Sequence, residues 1–138
     1  MALTFDKETF RLDLSKMLVR NENIILMNLN RIGLNFVTNA RTIDTYKDQT
    51  GNLRSSIGYV ITTDGVVITD NFEATLNEDG REQGEQYAIE ISSKERGKYV
   101  LVCVAGMNYA GYVEAMGYDV ITGSELLAKQ DFKKYFKL

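Results

Sequence analysis

The chain has 138 residues, 44% apolar and 25% charged, which fits one globular domain spanning 1–138 and argues against disorder along its length. It has no His, and its single Cys cannot form an intrachain disulfide, so His-ligated zinc, His-based triads and cysteine-cluster sites are excluded. Its 16 basic and 19 acidic side chains give a formal charge of −3, the wrong sign for a nucleic-acid binder unless the charge is sharply segregated. No apolar run approaches the ~20 residues of a membrane span, and Met1 to Glu8 lacks the basic and apolar regions of a secretory signal, so a cytoplasmic protein without a membrane segment is expected.

The segment Asp6 to Ala40 reads as helix, because Phe10, Leu14, Met17, Leu18, Ile25, Leu29, Ile32 and Phe36 recur mostly at spacings of three, four or seven. Thr4 or Asp6 is a candidate cap, and Asn21-Glu22-Asn23 is a candidate kink or break. Unbroken, this helix would run roughly 50 Å at ~1.5 Å per residue, so two packed helices, or one projecting beyond a sheet, are expected. Thr45 to Leu53 is polar, with a turn at Thr50-Gly51-Asn52. Arg54 to Thr63 then alternates, with Ile57, Tyr59 and Ile61 on one face, and predicts a half-buried strand. Asp64-Gly65 before Val66-Val67-Ile68-Thr69 is a strong hairpin signal.

Asp70 to Gln83 is acidic and aperiodic, and is expected to be a loop. Gly84 to Lys94 suits a helix, with Tyr87, Ala88 and Ile91 on one side, although Tyr87, Ile89 and Ile91 also alternate as in a strand. Tyr99 to Ala105 is continuously apolar, the pattern of a central strand covered on both faces. A short helix over Met107 to Met116, ended by Gly117, and an extended piece over Tyr118 to Ile121 follow. A final helix to about Phe136 is expected, opened by a Thr122–Glu125 capping box, with Ala128, Phe132, Tyr135 and Phe136 on one face. The predicted class is therefore α+β: a long N-terminal helix, kinked or split near Asn21, and a small antiparallel or mixed sheet packed against helices.

Few residues suggest chemistry. Gly106-Met107-Asn108-Tyr109-Ala110-Gly111 follows a strand, but Tyr112 and Val113 stand where a phosphate loop needs Lys and Ser or Thr. The second glycine of a dinucleotide fingerprint would fall on Asn108. Cys103 lies in the most apolar run and reads as a buried small hydrophobe. Asn77-Glu78-Asp79-Gly80 has only part of a calcium-loop pattern, and Asp44 with Asp48 is a bare carboxylate pair. No metal, cofactor or catalytic residue is expected. Glu114 lies among Tyr109, Tyr112 and Tyr118, aromatic residues of the kind enriched at interfaces. Arg54 carries a fork suited to a carboxylate, with Glu114 a candidate partner. A solvated arginine at a strand start remains the alternative.

Two segments together carry a resemblance. The first is Asn39-Ala40-Arg41 followed by Thr50-Gly51-Asn52-Leu53-Arg54-Ser55-Ser56-Ile57; the second is Val104 to Glu114 followed by Gly117-Tyr118-Asp119-Val120. In order, spacing and total length they resemble the tail-completion, or head–tail joining (neck), proteins of long-tailed bacteriophages. There a long N-terminal helix runs into a Thr-Gly-x-Leu-Arg-x-Ser-Ile turn and strand, and Tyr-Ala-x-Tyr-Val-Glu follows a buried strand. The chain departs from that pattern in lacking a Pro before Thr-Gly and a Pro- and Arg-containing tail.

The resemblance implies a structural, non-enzymatic virion protein, made in the host cytoplasm. Copies would form a ring, a hexamer or larger, between the connector or portal-side proteins and the tail tube, with DNA passing through the lumen. Candidate interface residues are Thr50, Gly51, Leu53, Arg54, Tyr109, Ala110, Tyr112, Glu114 and Tyr118. The acidic stretch Asp70 to Gln83 is a candidate for lumen or partner contact. The rival reading is a small-ligand or nucleic-acid binding module that uses Tyr109, Tyr112 and Tyr118 as a stacking platform.

Overall fold

The computed structural model describes residues 7–13, 22–42, 52–72, 78–107, 110, 114, 117 and 119–136. In chain order these form β1 (Glu8–Asp13), α1 (Glu22–Arg41), α2 (Asn52–Ser55), β2 (Ile57–Thr63), β3 (Val66–Asn71), α3 (Glu78–Ser92), β4 (Val100–Ala105) and α4 (Thr122–Tyr135). The class is α+β. A four-stranded antiparallel sheet in the order β1-β4-β2-β3 packs against helices, with a 20-residue helix near the N-terminus.

The helix expected over Asp6 to Ala40 is not one element: residues 8–13 are strand β1 and α1 spans Glu22–Arg41, while Thr4, Asp6, Leu14, Met17, Leu18 and the expected break at Asn21 lie outside the described residues. Phe10 and Leu12 sit two apart and both turn inward, so a period of two outcompetes the helical spacing once β4 supplies a partner. Phe10 meets Phe36 of α1 edge to face, with ring centroids 5.1 Å apart. The strand expected from Arg54 begins at Ile57, and Leu53 and Arg54 lie in the single turn α2. Residues 43–51, including most of the expected polar turn, lie outside the described residues.

The Asp64-Gly65 hairpin forms as expected. Both residues have positive φ, 52° and 83°, the combination that matches strand twist in a two-residue turn. Ile61 pairs with Thr69 and Thr62 with Val67, leaving Ile68 as the extra residue of a bulge.

The sheet is covered on both sides. Ile57, Tyr59, Ile61, Leu101, Cys103 and Ala105 face α1 and α4, together with Phe10 and Leu12. Val60, Val100, Val102 and Val104 face α3 around Ala88. Two-sided covering explains the unbroken apolar run of β4. It also corrects the expectation for β2, which is buried on both faces rather than one.

The acidic stretch is not one loop. Asp70 and Asn71 end β3, and Glu78 opens α3. Glu78 and Asp79 complement the positive end of the helix dipole. Arg81 ties the first turns together, bonding Glu78 and, at 3.0 Å, Glu85. The buried face of α3 is Gly80, Gly84, Ala88 and Ser92, four residues apart. This face of small residues lets the helix lie close on the sheet, and Tyr87 and Ile91 pack beside Ala88 on the valine cluster, the side expected from the sequence.

Candidate interface at one end of the central strands

The two sequence segments that carry the resemblance meet in space. Ile57 of β2 and Ala105 of β4 are register partners. One residue beyond, the Gly106 N–H donates to the Ser56 carbonyl at 3.2 Å. Ser56 is itself fixed by its own N–H and hydroxyl, which both donate to the Leu53 carbonyl, at 3.2 and 2.6 Å. Helix α3 closes the junction from the other side. A Cβ on Gly84 would stand 2.3 Å from the Ser56 oxygen, and one on Gly106 would stand 2.5 Å from the Gly84 Cα. Three backbones therefore touch at a point where no side chain fits.

Beyond this junction the chain turns into α4, and Glu114 organises the turn. Its Oε1 accepts from the backbone N–H groups of Val120, Ile121 and Thr122, at 2.9, 2.6 and 3.1 Å. Its Oε2 accepts from the Thr122 hydroxyl at 3.0 Å. A carboxylate six to eight residues upstream thus serves donors at the α4 N-terminus. The Gly123 N–H donates to Asp119 Oδ1 at 3.1 Å. This replaces the expected capping box: the N-cap position is Ile121, whose side chain makes no capping bond, and Glu125 pairs with Lys129 at 2.8 Å. Val120 and Ile121, expected to be extended, are buried in the turn into the helix rather than in a strand.

The corner is acidic. Burial, then the charges of Glu114 and Glu125, hold the Glu8 carboxyl above its ordinary range. Burial, then Glu125, pushes the fully buried Cys103 thiol up as well. An open hollow of about 300 Å³ lies beside this corner, lined by Glu114, Gly117, Asp119, Thr122, Gly123 and Leu126. Among the described residues no three His, Cys, Asp or Glu side chains are placed to hold a metal ion, and no described helix is long and apolar enough to cross a membrane.

The candidate interface residues divide into three groups. Leu53 and Ala110 are core residues, 2% and 0% exposed, so they hold the junction together rather than present a surface. Arg54 and Glu114 are half-buried. The hydrogen bonds of Glu114 run to 120–122, in place of the Arg54 pairing that the sequence suggests. Thr50, Gly51, Tyr109, Tyr112 and Tyr118 lie outside the described residues. Of the short helix expected over Met107 to Met116, Met107, Ala110 and Glu114 are described; Met107 is a bend, and Ala110 and Glu114 are helical. Gly84 belongs to the junction but not to the motif-bearing segments. Its signal in the sequence is the four-residue spacing Gly80, Gly84, Ala88, Ser92.

Compared with protein-family models, with curated proteins and with solved structures, the chain matches none.

Proposed function

We propose that this chain is a structural, non-enzymatic component of the neck of a long-tailed bacteriophage, a tail-completion or head–tail joining protein whose copies close into a ring. The observation that carries the reading is the meeting of the two motif-bearing segments: Leu53, Ser56 and Gly106 form one joint at the end of the central strands. Ser56 and Gly106, 50 residues apart in sequence, are joined in the fold, which gives the paired resemblance a physical basis. A net charge of −3 also suits a lining past which DNA must move without adhering.

Electron microscopy of the purified chain, alone and mixed with connector and tail-tube proteins, tests the reading. Closed rings, or rings seated on a connector or tube end, are expected. A chain that stays monomeric and binds neither component overturns it.

A further inference from the structure

The two outer surfaces of the molecule differ in character. On α1 the buried residues Ile25, Leu29, Ile32, Phe36 and Ala40 mark the inner face. Opposite them Ile24, Met27, Arg31, Leu34 and Thr38 follow spacings of three, four, three and four and stand in solvent. Met27 is 64% exposed; on the neighbouring helix α4, Leu127 is exposed as well, and Leu126, 58% exposed, borders the hollow beside Glu114. Single exposed apolar residues are ordinary, but a repeating seam marks a contact surface.

This layer is also basic. Helices α1 and α4 carry five basic side chains against three carboxylates. Glu125 pairs with Lys129, Asp131 accepts from the Asn35 amide, Arg41 turns inward to the Ile57 carbonyl and Arg31 lies over the Tyr135 ring, so the excess of positive charge in this layer rests on Lys133 and Lys134. Lys133 and Lys134 are exposed in the last turn of α4. Across the sheet, α3 carries five carboxylates against one arginine. Its outward positions Glu78, Glu82, Gln86 and Ile89 line up at spacings of four, four and three, with Glu90 exposed beside them.

From this complementarity we infer that the α1–α4 surface of one copy docks on the α3 surface of the next. The inference rests on the ring reading above and names the faces involved. Two like copies of the α1–α4 face would oppose basic to basic, whereas α3 offers the opposite sign with Ile89 as an apolar contact. Because the two surfaces lie on opposite sides of one sheet, the contact is head-to-tail. It leaves both free surfaces available for further copies, as a ring requires.

Sedimentation velocity of the full chain over a concentration series at low and high salt tests this. Wild type is expected to associate with concentration and to weaken as salt rises. Lys133→Glu/Lys134→Glu on α4 and Glu82→Lys/Glu90→Lys on α3 should each weaken association at least about tenfold. All four positions are exposed, so the melting temperatures should stay close to wild type. An equimolar mixture of the two variants should associate again, since each supplies the surface that the other has lost. A wild-type chain that remains monomeric, reversals without effect, or a mixture that fails to recover overturns the inference. Rings that persist in both variants would remove these faces while leaving the neck reading intact. Docking to connector or tube decides that reading separately.

Discussion

Gly84 of α3 lies so close to Ser56 that a Cβ there would stand 2.3 Å from the Ser56 carbonyl oxygen. That oxygen already accepts the Gly106 N–H, so it cannot retreat without breaking the bond that joins the two motif-bearing segments. Gly84→Ala should therefore destabilise the fold by about 1–3 kcal/mol, the usual range for an overpacked core, despite the higher helix propensity of alanine. Urea unfolding checks this through the shift in midpoint.

Glu114 acts on α4 as an upstream cap. Glu114→Ala should cost about 1–2 kcal/mol, by analogy with loss of a capping side chain. A double-mutant cycle against Thr122→Val should return a coupling of at least about 0.5 kcal/mol, because the Thr122 hydroxyl donates to Glu114 Oε2. The corresponding cycle against Arg54→Ala should return a smaller one.

Glu8 should make the protein less stable as pH rises. Burial, with Glu114 and Glu125 nearby, raises its pKa in the folded state. Between the unfolded and folded values the native state binds more protons than the unfolded chain, so stability falls through that window and stays lower above it. Glu8→Gln should thus raise the melting temperature at neutral pH. The gain should fade as the pH drops through the raised value into the ordinary carboxylate range. Melting curves across that range read the difference.

Tyr59 should titrate above the ordinary tyrosine range. Burial pushes its phenol up to about 12, and its hydroxyl donates to Asn30 Oδ1. An ultraviolet titration should show a delayed phenol that Tyr59→Phe removes. The stability it contributes is present below the ordinary tyrosine value and is lost as pH rises towards about 12.

Cys103 should resist thiol reagents at neutral pH. The thiol is fully buried, and both its burial and Glu125 disfavour the reactive thiolate. Reaction should proceed only as fast as the protein opens, and added denaturant should accelerate it. Rapid labelling under native conditions would contradict this placement.

Local chemistry made part of the fold legible. Asp64-Gly65 specifies its own turn, because few other pairs accept positive φ at both positions. The apolar run of β4 needs cover on both faces wherever it sits, and Ala128, Phe132, Tyr135 and Phe136 announce the inner face of α4. The helical period of α1 from Ile25 onward was equally plain.

Other features depend on partners distant along the chain. Phe10 and Leu12 fit a short strand or part of a helix, and β4, about ninety residues later, decided for the strand. Tyr87, Ala88 and Ile91 mark the inner side of α3, but its buried face of glycine, alanine and serine brings its backbone close to the sheet, an approach that depends on the partner it meets. Glu114 carries no mark in the sequence that chooses between Arg54 and a local partner, and within the copy the turn into α4 supplies three backbone N–H groups to its carboxylate. Turn geometry and burial pattern follow from residues a few positions apart, and these the amino-acid sequence determined alone. Register, close approach and the partner of a lone charge follow from which surfaces meet, and only the tertiary structure decided those.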